Sequence, residues 1–337
     1  MDIRDFMPGE EVVVRIKADI AAYEAERRQV MRALLWRVPV FVGGVLALVA
    51  AVALVFNVLA DPFEQWFSAP HMFLYFIGIV TLYFAYIQAV RPSRRLKQSF
   101  RERVLPAVFV FIDQLGYKNG EKPYSFERMP QEVTGKFTLH SFGDMISGQY
   151  DGFGFELFET TLAYTMKKSS VRVFKGVVVA FGAVAPFPGL LVATPRKSKA
   201  FGFVRKILGG KTGEMRSGND IIDARYKFTT DNVQAARPLV SGRMAQALQW
   251  LVEGWPNRPA RVALRGDSGF LLIPHEKDFF ALPSISRALD YQKHIAPMIA
   301  DLGALLATAA LVRKISVPDE VPVPDDSYQQ PPVEPGS

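Results

Sequence analysis

The chain contains no cysteine. That excludes structural disulfides, a thiol nucleophile and any Cys-ligated zinc, and it fits a reducing compartment. Histidine is scarce: His71, His140, His275 and His294 stand far apart, with no HExxH-type pair among them. His275-Glu276 with Asp278 reads as a polar loop rather than a metal site. Charge is missing from two long stretches. Val38–Ala60 and Met72–Val90 carry no side chain that is charged at neutral pH. The connection between them, 61–71, has no Lys or Arg and only Asp61 and Glu64 as full charges. A spanning helix needs about 20 apolar residues to cross roughly 30 Å of hydrocarbon, and both stretches meet that length. The absence of ionisable groups at mid-span excludes an ion path or proton relay built from these two segments alone.

What flanks the apolar stretches is basic. Arg27, Arg28, Arg32 and Arg37 precede the first; Arg91, Arg94, Arg95, Lys97, Arg101 and Arg103 follow the second. Positive-inside bias then places both termini and the large C-terminal region in the cytoplasm, with the chain crossing the membrane twice. The net charge of +7 is largely juxtamembrane, which points to anionic lipid headgroups and not to nucleic acid. Arg91, Arg94, Arg95 and Lys97 are the first membrane-surface candidates. The stretch from residue 38 is longer than a signal-peptide core and reads as a retained anchor.

Residues 1–37 read as a cytoplasmic amphipathic helix, with Ile16, Ile20, Tyr23, Arg27 and Val30 at spacings of three or four. Two readings stand side by side: a stalk packed on the soluble domain or on a second copy, or a solvated extension. Gly43, Gly44, Ala47 and Ala51 predict a small-residue seam packed against Phe73, Tyr75, Phe76, Tyr83, Phe84 and Tyr86, with a homodimer seam as the second reading.

Residues 91–315 read as a cytoplasmic α+β domain with a mainly antiparallel sheet and packing helices. A helix resumes after Pro92 and runs to about Leu115, with Pro106 as a bend or a new start. Strands are expected at Ile146–Tyr150, Phe153–Tyr164, Val171–Ala183, Leu190–Thr194 and Ile221–Thr229, with Asp151-Gly152 as a hairpin turn. Asp231 reads as the N-cap of a helix through about Glu253. Arg261–Leu264 and Phe270–Ile273 read as a hairpin around Gly266-Asp267-Ser268-Gly269. A last helix starts at Ser284 and runs to about Lys314. Its Ile295–Val312 portion reads as a buried packing helix rather than a third span, because it carries Asp301 and Pro297. Residues 316–337 hold six prolines, five acidic residues and no basic one, the composition of a disordered tail.

No catalytic constellation emerges. Gly209-Gly210-Lys211-Thr212 lacks the leading glycine of a phosphate-binding loop, since position 205 is Arg205. Gly266-Asp267-Ser268-Gly269 resembles a protease nucleophile segment but lacks partner His and Asp residues. Glu156 and Glu159, three apart on a strand, point to opposite faces and make no acid–base pair. Residues 196–216 interleave Arg196, Lys197, Lys199, Arg205, Lys206, Lys211 and Arg216 with Phe201, Phe203, Val204, Ile207 and Leu208. The plain reading is a charged connection between strands. The functional one is contact with an anionic inner leaflet, which adds Lys199, Arg205, Lys206 and Lys211 to the membrane-surface candidates; the tether disfavours single-stranded nucleic acid.

Three blocks carry a family resemblance: Gly143-Asp144-Met145-Ile146-Ser147-Gly148-Gln149-Tyr150-Asp151-Gly152 leading into Phe155-Glu156, then Phe174-Lys175-Gly176, then Asp223-Ala224-Arg225-Tyr226 with Thr229-Thr230. With the two apolar stretches and the basic flank, they resemble a bacterial membrane-protein family catalogued as domain of unknown function 3137. The resemblance implies two transmembrane helices and a cytoplasmic domain, in proteins often encoded near LemA-type membrane proteins. It brings no catalytic residue, metal or cofactor. The expected function is an inner-membrane-anchored, non-enzymatic binding or scaffold protein. Its partner would be a membrane protein (LemA-type), a second copy, or the anionic membrane surface. The alternative is a ligand-sensing accessory subunit of an envelope complex, with Asp151, Glu156, Lys175 and Arg225 as ligand contacts. A hydrolase or transferase comes last.

Overall fold

The computed structural model describes residues 9–59, 69–109, 111–166, 169–196, 213–254, 259–276 and 278–313. The tail from 316 and the basic residues Lys199, Arg205, Lys206 and Lys211 lie outside the described residues, as does most of the 61–71 connection. The chain forms two compact units. The first comprises Met1–Glu121, Gly143–Gly152 and Lys277–Leu305; the second comprises Lys122–Phe142, Phe153–Glu276 and Leu306–Ser337. Residues 91–121 therefore group with the long helices. The architecture is mixed helix and antiparallel sheet.

In the first unit, α1 (Glu10–Leu59) and α2 (Ala69–Val108) are 50 and 40 residues long. Each carries an apolar stretch and its basic flank in one unbroken helix. Pro92 and Pro106 do not restart α2 as the sequence suggests, and the helix ends at Val108, short of Leu115. A proline removes one backbone hydrogen bond, and in a helix packed along a neighbour the remaining bonds hold the axis. α1 and α2 pack antiparallel, since Val49 meets Gly78, Phe56 stacks edge-on to His71 and Tyr23 lies 4.5 Å from Phe100.

The predicted small-residue seam is corrected. Gly43, Gly44, Ala47 and Ala51 are exposed, and nothing lies within 4 Å of a Cβ added at Gly43 or Gly44. The inward face of α1 is instead Val42, Val45, Val49 and Ala53, and the small residues it meets are Gly78, Ala85 and Ala89 of α2. With 3.6 residues per turn, the valines at spacings of three and four claim one face and rotate the glycines away from it.

Of the two readings for residues before 37, the packed stalk is the one observed. Ile16, Ile20 and Tyr23 are buried. Glu24 accepts hydrogen bonds from Arg27 at 2.9 Å and from the Leu289 N–H at 2.8 Å, while Arg27 donates to the Ile285 carbonyl at 2.6 Å. The same unit holds β1 (Asp113–Asn119), paired with residues 144–149 of β2 (Leu139–Tyr150), a strand longer than expected. Asp151 and Gly152, with φ of 46° and 71°, form the turn that the sequence predicts after it.

In the second unit the strand order is β3-β4-β6-β5, with β7 also on β4. The strands are β3 (Phe153–Thr165), β4 (Ser170–Pro195), β5 (Gly213–Met215), β6 (Tyr226–Thr230) and β7 (Arg261–Pro274). β4 is one 26-residue strand where the sequence suggests two. It carries β3 on its first half, β6 on its second and β7 along both. The hairpin expected at Gly266–Gly269 is also corrected: β7 runs straight through it. Gly266, with φ of 54°, faces Phe187, where the β4 register shifts. The long template of β4, paired from Val262 to Pro274, outweighs the local turn preference.

Ile221–Arg225 is not strand. It belongs to the short α4 (Asp220–Arg225), capped by the Asn219 side chain, and β6 begins only at Tyr226. Asn232, not Asp231, caps α5 (Val233–Ser241); the chain breaks at Gly242 before α6 (Arg243–Gly254). Asp231 instead accepts the Leu190 N–H at 2.7 Å. Helix α7 (Ala296–Arg313) follows a turn of π-helix at Tyr291–Ile295 capped by Asp290, so Ser284 is not the cap. The core of this unit joins Leu157, Phe158, Leu162, Val177–Val179, Phe228 and Phe270–Ile273 to Met244, Leu248 and Leu251.

Among the described residues, three helices are long and apolar enough to cross a membrane: α1, α2 and the segment containing α7. Within the protein, 6% and 11% of the most apolar windows of α1 and α2 are buried, against 78% for α7.

Candidate functional site

Three ring or side-chain contacts fix the register of α1 on α2, and the register fixes what meets at the basic end of the apolar stretches. From Val49 back to Arg37 is about 18 Å of helix; from Gly78 on to Arg91 is about 20 Å. Antiparallel packing therefore brings Arg37 and Arg91 to one level, where the uncharged stretches of both helices end. Arg95 follows Arg91 by four residues and so shares its face.

Between the helices at this level lies an open groove of about 500 Å³. Arg37, Arg91 and Arg95 line it together with Glu26, Gln88 and Ser99, over an apolar lining of Val30, Pro92 and Leu96. All three arginines are exposed. Among the described residues none of them forms a salt bridge, whereas Arg27 and Arg101 in the same unit do. Three unengaged guanidiniums around a cavity are suited to planar, bidentate capture of a phosphate or carboxylate.

Of the membrane-surface candidates, the structure thus brings together Arg91 and Arg95. Lys97 is half-buried on the same helix; burial, then the neighbouring Arg101 charge, holds its ammonium below the usual lysine range. The Arg94 side chain lies outside the described ones. Sequence reasoning places Arg37 on the basic flank but misses it, with Glu26, Gln88 and Ser99, as part of a site. The signal lies in equal helix lengths from the Val49–Gly78 contact, which needs the register to be known.

A second polar centre in the first unit is structural. Asp144, 1% exposed, accepts from Arg101 at 2.9 and 3.1 Å, from the Tyr117 hydroxyl at 2.7 Å and from the Asn119 amide. Arg101 also donates to the Phe280 carbonyl at 3.2 Å. Burial and then the Asp144 carboxylate push the Tyr117 phenol well above its usual range. A carboxylate this enclosed ties α2, β1 and the segment before α7 together, with no open face for a ligand.

The four ligand candidates do not converge. Asp151 sits in the turn after β2. Glu156 accepts the Ser125 N–H at 2.8 Å. On the β3–β4 ladder Glu156 pairs with Ala180 and Lys175 with Thr161, about 17 Å apart along the strand. Arg225 is exposed at the end of α4, where its carbonyl accepts the Arg196 N–H. The adjoining Asp223 clamps a turn by accepting from Ser217 and Gly218. Gly176 lies so close to the Ile273 carbonyl that a Cβ does not fit. These blocks hold the fold together.

Arg261, buried among β4 and β7, donates to the Val133 carbonyl at 3.0 Å and stacks over Phe174 at 5.6 Å; burial lowers its pKa. Burial also pushes the Tyr226 phenol up to about 12. Neither is legible from pattern alone. Among the described residues no group of three or more acidic or histidine side chains is placed to hold a metal ion.

No family model matches the chain, and no curated protein matches it. Among solved structures, the crystal structure of the mycobacterial trehalose monomycolate transport factor A, TtfA, is similar over 60% of this chain and 86% of that chain, at 10% identity and a TM-score of 0.33. A match that partial transfers no function.

Proposed function

We propose that the chain is a non-enzymatic, membrane-anchored binding protein of the bacterial inner membrane. Residues 38–60 and 72–90 cross the bilayer as a helical hairpin, and both termini and the α+β region lie in the cytoplasm. The observation that carries this reading is the exposure of the apolar windows of α1 and α2. Leu48, Phe73, Ile79 and Tyr83 are each more than 60% exposed. A continuous apolar surface on two paired helices is stable against hydrocarbon and unfavourable against water. The basic residues on the inner flanks supply the orientation. The resemblance to the family catalogued as domain of unknown function 3137 favours the same layout. The partner of the α+β region is a membrane protein or the anionic membrane surface.

Topology tests the reading directly. An alkaline phosphatase fusion at Phe67 is expected to be active and one at Ser316 inactive. The reverse pattern, or a soluble full-length chain after cell fractionation, defeats the proposal.

A further inference from the structure

We propose that the groove between α1 and α2 is a headgroup site for one anionic glycerophospholipid, with Arg37, Arg91 and Arg95 on its phosphate. This deepens the membrane reading above and rests on it.

Position is the first argument. The groove opens where the uncharged stretches of both helices end, so it lies at headgroup depth when the apolar surfaces are in hydrocarbon. Beside it in sequence, Leu35 and Trp36 are 67% and 78% exposed. An exposed Trp next to arginine is the composition of a membrane interface. Chemistry is the second. Three guanidiniums and the Glu26 carboxylate give the lining two net positive charges, complementary to a phosphodiester. Gln88 supplies a neutral donor and acceptor for headgroup hydroxyls. Size is the third: about 500 Å³ is the scale of a small-molecule site and admits a glycerophosphate. A soluble phosphate ester shares this chemistry. Depth argues for the lipid, since acyl chains can lie on the exposed apolar faces of α1 and α2.

The test uses the full chain in phosphatidylcholine nanodiscs, with phosphatidylglycerol titrated in and bound lipid counted by native mass spectrometry. One saturable phosphatidylglycerol is expected. Combining Arg37→Gln, Arg91→Gln and Arg95→Gln should weaken it about a hundredfold, from the contribution of each basic residue at an anionic surface. Arg32→Gln, exposed on α1 and outside the groove, should weaken it less than Arg95→Gln alone. Circular dichroism checks that the triple variant is folded, and Arg95→Gln alone, expected to weaken binding severalfold, serves if it is not. Non-saturating uptake, or an equal effect of Arg32→Gln, overturns the groove while leaving the membrane reading intact. Glycerol 3-phosphate binding as tightly as the lipid overturns the lipid assignment. Failure of the fusion experiment instead defeats the underlying reading.

Discussion

Asp144 is the residue whose loss the structure answers for most clearly. Its side chain is nearly sealed from solvent, and it faces Arg101, itself 18% exposed. Removing one member of a buried ion pair strands the other, at a typical cost of 3–5 kcal/mol. Asp144→Ala should therefore destabilise the detergent-solubilised chain by about 3 kcal/mol, read as a lowered midpoint in thermal unfolding. Arg101→Ala should do less, because Tyr117 and Asn119 still donate to the carboxylate. None of this is visible in sequence. Asp144 stands in a block that reads as turn glycines, and its partners lie 25 to 43 residues away. Glu24 belongs to the same scale. Burial opposes its charge, but the hydrogen bonds from Arg27 and Leu289 outweigh it and hold the carboxyl below its ordinary range. A depressed folded pKa stabilises above the unfolded value, about 4.3, and that stability disappears as pH falls through the folded value. Docking of the 285–289 segment on α1 should loosen below about pH 4. Amide exchange at Leu289 checks it, with Glu24→Gln expected to remove the pH dependence.

At the scale of elements, Gly78 shows how a single helix contact is built. A Cβ there would lie 2.9 Å from Val49 Cγ2. Gly78→Val should cost about 1–3 kcal/mol through overcrowding, and Val49→Ala in the same chain should restore part of it. A double-mutant cycle by thermal unfolding in detergent measures the coupling. The length of both helices was largely legible, because apolar runs and basic flanks are local. Which face of α1 turns inward was not, since glycine and valine stripes compete and only the partner helix decides. The sheet shows the same division. Asp151-Gly152 makes its turn because both residues tolerate positive φ. Gly266–Gly269 does not turn, because twelve rungs of pairing with β4 override four local residues. Asn219 and Asn232 took the caps that Ile221 and Asp231 obscured.

For the molecule as a whole, the long apolar helices are legible in composition, which needs no contacts. The candidate groove follows from two helices being aligned, and Arg37 enters it only through that alignment. The interior of the sheet is dense in Val, Leu and Phe.

The unbroken length of α1 has a mechanical consequence. From Glu10 to Arg37 it extends about 42 Å beyond the uncharged stretch, and Tyr23, Glu24 and Arg27 clasp it to Phe100, Ile285 and Leu289. Helices adjust to bilayer thickness by tilting. A change of tilt of about 10° displaces the far end of such a rod by about 7 Å, and the clasped segments travel with it. On the proposed membrane placement the stalk is a lever whose short arm lies in lipid, converting the thickness of the bilayer into a displacement at its far tip.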